Sequence, residues 1–195
     1  MACCMTHTQI NNHGEGQNVR DIMLDLETMG SGPDAAITAI GAVAFDKNGT
    51  GSKFYTPVDL TSSVNLGLVM DPSTVIWWMG QNEHARQLFK EKGADIVSAL
   101  QLFEEWVKGI ETADKVRVWG NGANFDNVIL ASAIRKAGLN QPWKFWNDRC
   151  FRTMKAQYPK VKIQRKGTHH NALDDAITQA EHLIAILREG SLDLS

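Results

Sequence analysis

The sequence predicts an α/β fold in which a mixed five-stranded sheet is flanked by helices. Three short segments rich in apolar and β-branched residues come first and are joined by turn-forming residues, which is typical of an antiparallel meander. From about residue 72 onward, apolar residues at helical spacing alternate with further short apolar segments. A meander followed by alternating helices and strands indicates a mixed sheet rather than a purely parallel one.

The first three strands are predicted close to the start of the folded part. The segment 21–26 is mostly apolar, as expected of a strand that is buried on both faces. The segment 36–45 is rich in Ile, Val and Ala and predicts a second strand. Residues 46–49 read Asp-Lys-Asn-Gly, a hairpin signal, and 53–58 predicts the third strand.

The middle of the chain is predicted to be mainly helical. Pro72 begins a helical segment that contains Trp77 and Trp78, and residues 94–110 place apolar side chains at helical spacing. Residues 116–119 then predict a short fourth strand.

The C-terminal part predicts two more helices and one strand. Asn124 is a good N-cap for a helix that runs to about residue 136 and is ended by Gly138. Residues 144–150 predict a fifth strand, and a loop with four Lys and Arg residues follows at 158–168. The last helix is predicted at 171–187, with apolar residues along one face.

Length and composition limit the class of protein. The 195 residues predict one folded domain at 20–190 and a disordered polar tail at 1–19. The net charge of −2 argues against a protein that coats duplex nucleic acid. Three cysteines without metal-ligand spacing are expected to be free thiols. The first twenty residues contain no apolar segment of the kind found in secretory signals, and no apolar run approaches the ~20 residues that span a bilayer, so a cytoplasmic protein is expected.

Four carboxylates and an imidazole fall at the ends of predicted elements. Asp25 and Glu27 end the first strand on one face, Asp126 begins a helix, and His170 and Asp175 flank the start of the last helix. Mg²⁺ prefers such oxygen ligands. Two divalent ions about 3.5–4 Å apart can hold both oxygens of a phosphodiester displacement, while histidine supplies a base. This set indicates a nuclease, with His169 and Asp174 as alternatives to their neighbours.

The three motifs resemble those of the DEDD exonuclease superfamily, in the same order. They are Asp25-x-Glu27, Phe125-Asp126 and His170-x-Ala172-x-x-Asp175. The resemblance favours His170 over His169 and Asp175 over Asp174. It implies the histidine subclass (DEDDh), because the tyrosine subclass has tyrosine where Asn171 stands. It further implies an RNase H-like fold, two Mg²⁺ or Mn²⁺ ions on the four carboxylates, His170 as general base, and a homodimer as one expectation.

A narrower branch is indicated by the runs at 75–78, 119–122 and 148–150. The chain there is similar to small bacterial and bacteriophage exonuclease VIII-like proteins and 3′–5′ exoribonucleases. Many superfamily members have His-Asn-Ala before the second motif, where this chain has Asn-Gly-Ala at 121–123. The resemblance implies release of nucleoside 5′-monophosphates from the 3′ end of single-stranded or 3′-overhanging DNA or RNA. Alternatives are a hydrolase of very short oligonucleotides or nucleotide derivatives, and a catalytically idle 3′-end binding module.

Further residues are candidates for substrate binding. Thr28 and Met29 resemble family positions that touch the terminal nucleotide, although a loop start and buried packing would explain them equally well. One of two adjacent tryptophans is expected in the core, and either could stack a base. The basic loop could contact phosphate or simply be solvated. The full set of candidates is Thr28, Met29, Trp77, Trp78, Asn124, Arg165 and Lys166.

Overall fold

The computed structural model describes residues 19–192, which contain five strands and seven α-helices. The strands are β1 (Asp21–Thr28), β2 (Ile37–Asp46), β3 (Gly49–Pro57), β4 (Arg117–Gly120) and β5 (Asp148–Cys150). The helices are α1 (Leu60–Asn65), α2 (Pro72–Met79), α3 (Glu83–Arg86), α4 (Ile96–Lys108), α5 (Asp126–Lys136), α6 (Phe151–Gln157) and α7 (Ala172–Glu189). Except for Val19, the predicted disordered tail lies outside the described residues.

The five strands form one mixed sheet in the order β3-β2-β1-β4-β5. β1, β2 and β3 pair antiparallel, which confirms the predicted meander, and β4 and β5 continue the sheet parallel to β1. Because β1, β4 and β5 run in the same direction, their carboxyl ends meet at one edge of the sheet.

Each face of the sheet is covered by its own apolar core. Ile22 and Leu24 of β1 pack with residues of α4 and α5. Met23 of β1 packs with residues of α6 and α7, as does Phe45 of β2. Side chains alternate along a strand, so Asp25 and Glu27 lie on the same face as Met23. The two carboxylates therefore face α7.

A glycine in β2 allows the start of α7 to approach the sheet. Gly41 is the β2 residue opposite Asp25 in the β1–β2 pairing. A Cβ atom at Gly41 would clash with the backbone of Ala172 and Leu173. Only glycine leaves room for so close an approach, and the first turn of α7 is thereby held beside the carboxylates of β1.

The predicted fifth strand was too long. Only residues 148–150 pair with β4, and residues 145–147 form a short 3₁₀ turn. The turn is closed by the backbone N–H of Asn147, which donates to the carbonyl of Lys144 at 2.8 Å. Trp143 is buried in the core, whereas Phe145 and Trp146 are exposed, which is not the alternation of a strand.

The predicted cap of α5 was also wrong. The helix begins at Asp126, and its N-cap residue is Phe125, which makes no capping side-chain hydrogen bond. Asn124 is exposed one residue earlier. The turn is instead shaped by the Asp126 carboxylate, which accepts backbone hydrogen bonds from Asn121 and Leu26. Sequence patterns also missed the short helices α1, α3 and α6. None of the helices within residues 19–192 has the length and apolar character needed to cross a bilayer.

Candidate active site

A buried carboxylate of the second motif forms hydrogen bonds near the end of β1. Asp126 accepts the backbone N–H of Leu26 at 3.1 Å through one oxygen and that of Asn121 at 2.8 Å through the other. Leu26 lies between Asp25 and Glu27, so these two bonds hold the first and second motifs together. The pairing of β1 with β2 also shifts register between Glu27 and Thr28, and such a bulge re-aims the side chains beside it.

The two neighbouring aspartates of the third motif make different contacts. Asn171 caps α7 by accepting the backbone N–H of Asp174 at 3.1 Å. The Asp174 carboxylate accepts the backbone N–H of Thr168 at 2.7 Å and so holds the preceding loop. The Asp175 carboxylate turns toward β1 and accepts the backbone N–H of His170 at 3.2 Å.

His170 has a left-handed backbone conformation, with φ of +61°. Such a conformation is uncommon for residues other than glycine and is often found at functional sites. It places the imidazole edge-on against Trp77 and Trp78, with ring centroids 5.0 and 5.8 Å away. One ligand atom each from Glu27, His170 and Asp175 lie within 4.8 Å of one another.

These groups border a cavity of about 490 Å³ at the carboxyl edge of β1 and β4. Its lining includes Asp25, Glu27, Asp175 and His170 together with Thr28. Asp126 lies behind this lining and is almost fully buried. The volume falls within the range of about 300–1,000 Å³ that is usual for small-molecule sites. The sequence motifs therefore converge on one cavity.

Burial raises the pKa values of three carboxyl groups in the site, which makes them weaker acids than usual. Removal from water raises the pKa of Asp25 well above its usual value, and the charges of Asp126 and Glu27 raise it further. Burial first and the charge of Asp126 second raise the pKa of Glu27 from 4.5 to about 8. Burial also raises the pKa of Asp126 to about 6. Uncompensated carboxylates this close together are costly, and a site of oxygen donors fits hard divalent cations such as Mg²⁺ or Mn²⁺.

The two tryptophans divide as predicted between the core and the surface. Trp78 is 3% exposed, and its indole N–H donates to the carbonyl of Thr28 at 2.9 Å. Trp77 is 45% exposed, and both side chains border the cavity. The Thr28 hydroxyl donates to the carbonyl of Gly30 at 2.7 Å. Met29 is buried in the apolar core and does not border the cavity.

The remaining candidates lie in different places. Arg165 enters the cavity and forms an ion pair with Asp175. Lys166 pairs with Glu181 at 2.8 Å and does not border the cavity, and neither does Asn124. The basic loop thus reaches the site through Arg165.

Sequence patterns missed the polar residue that bonds directly to a carboxylate of the first motif. The amide nitrogen of Gln179 donates to the Asp25 carboxylate at 2.6 Å. Its amide oxygen is buried and has no hydrogen-bond partner among residues 19–192. Gln179 is four residues after Asp175, and residues at this spacing share one face of a helix. That spacing was the available signal.

Comparison with known proteins agrees with this geometry. Residues 20–187 match the 3′–5′ exoribonuclease Rv2179c-like domain. The chain is 30% identical over 158 residues to an exodeoxyribonuclease of enterobacteria phage T4, covering 68% of this chain and 69% of the phage protein.

Two solved structures share the fold. One is the nuclease domain of 3′hExo, a DEDDh family member, bound to rAMP, with a TM-score of 0.60 and 14% identity over 87% of this chain and 92% of that one. The other is S. pombe Pop2p in its Mg²⁺ and Mn²⁺ bound form, with a TM-score of 0.59 and 15% identity over 90% of this chain and 86% of that one.

The RNase H-like fold is the fold of DEDDh nucleases, a class that depends on divalent metal. Within that class the chain belongs to the family of Rv2179c-like 3′–5′ exoribonuclease domains, and it is a 3′–5′ exonuclease that acts on nucleic acid. The predicted fold class, superfamily and enzyme activity are confirmed.

The carboxylate cluster makes the stability of the metal-free protein depend on pH. The folded-state pKa values of Glu27 and Asp126 lie above the usual 4.5 and 3.8. Between pH 4 and about pH 8 the folded protein therefore holds protons that the unfolded chain has released. Stability then falls as pH rises. In EDTA we expect the Tm to fall by roughly 5–10 °C between pH 5 and 9, as measured by scanning calorimetry.

A matched variant isolates the contribution of Glu27 to this dependence. Glu27→Gln is expected to lose a large part of the fall in Tm, because the amide does not titrate. In wild-type protein, Mn²⁺ is expected to raise the Tm more at pH 8.5 than at pH 5.5, since deprotonated carboxylates bind it. A Tm in EDTA that rises over this range by the same amount in both proteins would contradict the account.

Proposed function

We propose that the protein hydrolyses the 3′-terminal phosphodiester of single-stranded or 3′-overhanging DNA or RNA and releases nucleoside 5′-monophosphates. In this proposal Asp25, Glu27, Asp126 and Asp175 hold two Mg²⁺ or Mn²⁺ ions, and His170 is the general base. The observation that carries the proposal is that Asp25, Glu27, Asp175 and His170 border a single cavity, with the carboxylate of Asp126 buried behind its lining.

Divalent ions, when bound, would supply Lewis acidity toward water and charge to offset that on the phosphoryl oxygens. The chain's own residues provide the rest. His170 would accept the proton of the attacking water at a ring nitrogen. Burial chiefly, and then the neighbouring charge of His169, lower the pKa of His170, so the imidazole is neutral and able to accept a proton at pH 7.

Neighbouring contacts support this role for His170. Its ring is held by the edge contacts with Trp77 and Trp78, and its backbone N–H is bonded to Asp175. These contacts therefore fix the position of the proposed base relative to one predicted metal ligand, Asp175. Fixed orientation of a reacting group is a major source of rate enhancement.

The cavity also offers places for the terminal nucleotide. The exposed face of Trp77 is available for a base, and stacking of this kind is worth about 1–3 kcal/mol per base. Arg165 carries positive charge into the cavity, and its Nε has no partner among the described residues. We propose that Arg165 exchanges its ion pair with Asp175 for a contact with the phosphate of the bound strand.

Product analysis tests the proposed bond cleavage. Wild-type protein with Mn²⁺ is incubated with DNA and RNA of matched sequence, and the products are separated by chromatography against nucleotide standards. Nucleoside 5′-monophosphates are expected, because attack by water on the terminal phosphorus expels the 3′-oxygen of the preceding nucleotide. Release of nucleoside 3′-monophosphates would contradict the proposal. The relative rates on the two polymers give the preferred sugar.

The homodimer and the cytoplasmic location stay predictions. Exposed apolar side chains on α2, such as Ile76 and Met79, are compatible with a protein partner. Light scattering of the purified protein at several concentrations tests the homodimer directly.

A further inference from the structure

Two large aromatic side chains project into solvent at the sheet edge, in the turn before β5. Phe145 is 74% exposed and Trp146 is 58% exposed. Their ring centroids are 5.0 Å apart, with the rings inclined at 78°. The turn that carries them is anchored to the protein by the side chain of Trp143, which is buried in the core. Adjacent exposed aromatic rings form an apolar patch of the kind that marks binding surfaces.

Positive charge surrounds the aromatic pair. The Lys144 ammonium lies 6.0 Å from the centroid of the Trp146 ring. The Arg149 guanidinium donates to the carbonyls of Trp146 and Asp148, both at 3.0 Å. Aromatic rings set among cations are the combination by which proteins bind single-stranded nucleic acid without sequence preference.

Two nearby aspartates neutralise little of this positive charge. Asp148 is held by donors from the α5 side of the sheet, since its carboxylate accepts from Asn127 at 2.8 Å and from Trp143 at 2.7 Å. Asp114 pairs with Lys144 at 3.7 Å, and both partners are exposed. Exposed pairs of this kind are weak and are easily exchanged for a phosphate contact.

The cations continue from β5 to the catalytic cavity. Arg149 pairs in register with Trp119, which packs in the core beneath α6 and α7. On α6, Arg152 and Lys155 are exposed and share one face of the helix. The Arg152 guanidinium carbon lies 3.8 Å from where a Cβ of Gly122 would be, next to the second motif. Lys155 borders the cavity itself.

We infer that these residues form a binding strip for the single-stranded nucleic acid upstream of the terminal nucleotide. The strip consists of Lys144, Phe145, Trp146, Arg149, Arg152 and Lys155. The inference rests on the proposed function, because the 3′ end must occupy the cavity for the strand to leave it along α6. The backbone from Trp146 to Lys155 extends at most about 22 Å. At the 3.4 Å rise of a stacked strand, this is room for up to about six nucleotides.

The strip predicts that affinity grows with strand length. A trinucleotide would fill the cavity and only the start of the strip, whereas a 15-mer would reach the aromatic pair. KM and kcat are measured with Mn²⁺ on both lengths of an unstructured strand, for wild type and Trp146→Ala. Loss of one stacked base is worth about 5- to 150-fold in affinity. We therefore expect Trp146→Ala to lower the ratio of the trinucleotide KM to the 15-mer KM toward unity, because the variant binds the 15-mer less tightly.

Salt dependence provides a second readout. Each phosphate contact on a single strand contributes about 0.7 to the slope of log affinity against log salt. The double variant Lys144→Gln/Arg149→Gln is expected to reduce that slope for the 15-mer by about 1.4. Lys108→Gln on α4, where the lysine pairs with Glu104, is the matched control and should leave the slope unchanged. Trp146→Phe should retain much of the affinity, which a general loss of folding would not.

Binding without hydrolysis separates the two proposals. Fluorescence anisotropy of a labelled 15-mer in EDTA reports binding without hydrolysis, and equal Kd values for wild type and Trp146→Ala would overturn the inference. Hydrolysis with no length preference, equal in the two proteins, would overturn the strip and leave the proposed function intact. Absence of hydrolysis together with a raised Kd in Trp146→Ala would overturn the proposed function and leave the strip.

Discussion

Asp175→Asn is expected to abolish exonuclease activity, with a loss of at least about 10³-fold in kcat, while the protein stays folded. The amide has almost the same shape as the carboxylate but no negative charge, and it is a poor ligand for Mg²⁺ or Mn²⁺. Ligand atoms of Asp175 and Glu27 lie within 4.8 Å of each other, so the loss falls directly on the predicted metal site. Initial rates with saturating Mn²⁺ and circular dichroism measure the two effects separately.

The neighbouring residue supplies a matched control for this substitution. Asp174→Asn changes a carboxylate that bonds the backbone of Thr168 and does not border the cavity. Its expected loss is less than about tenfold, through looser packing of the loop before His170. Activity retained by Asp175→Asn but lost in Asp174→Asn would show that the third motif has been assigned to the wrong aspartate.

His170→Asn is expected to lower kcat by about 10²- to 10⁴-fold, the usual contribution of a general base. Asparagine is the informative replacement, because it tolerates the left-handed backbone found at His170 better than alanine does. The loss then reports on the imidazole rather than on backbone strain. Rates are compared at pH 6 to 9 with saturating substrate and metal.

The adjacent histidine tests whether the effect is specific. His169 also borders the cavity, and its ring centroid is 5.3 Å from that of His170. His169→Asn is expected to lose much less activity. If the two variants lose equal activity, or if His170→Asn matches wild type, His170 is not the general base.

The main elements of the fold could be predicted because their signals are local. The apolar segment of β1, the hairpin at Asp46–Gly49 and the helical spacing of α7 each depend on neighbouring residues only. The order of the strands in the sheet could not be read from these local signals, and only an RNase H-like arrangement was expected. The choice of Asp175 over Asp174 also came from motif spacing, and the structure supports it by showing the two carboxylates in different contacts.

The features that were missed depend on contacts between distant segments. Gly41 is required because α7 approaches β2 there, more than a hundred residues later in the chain. The cap at Asn124 failed because the Asp126 carboxylate bonds to Leu26 in β1 and reshapes the turn. Phe145 and Trp146 have high strand propensity, yet the turn closed onto Lys144 holds them outside the sheet. Local propensity yields to tertiary contacts at such positions.

The metal-dependent 3′–5′ exonuclease activity is tested by digestion of a 5′-labelled single strand of DNA and of RNA, resolved by length over time. Wild type with Mn²⁺ is compared with wild type in EDTA and with Asp175→Asn. We expect a ladder that shortens from the 3′ end only in the reaction of wild type with Mn²⁺. Immediate release of a labelled mononucleotide, or an equal ladder in EDTA or with Asp175→Asn, would contradict a metal-dependent 3′–5′ exonuclease site built on these carboxylates.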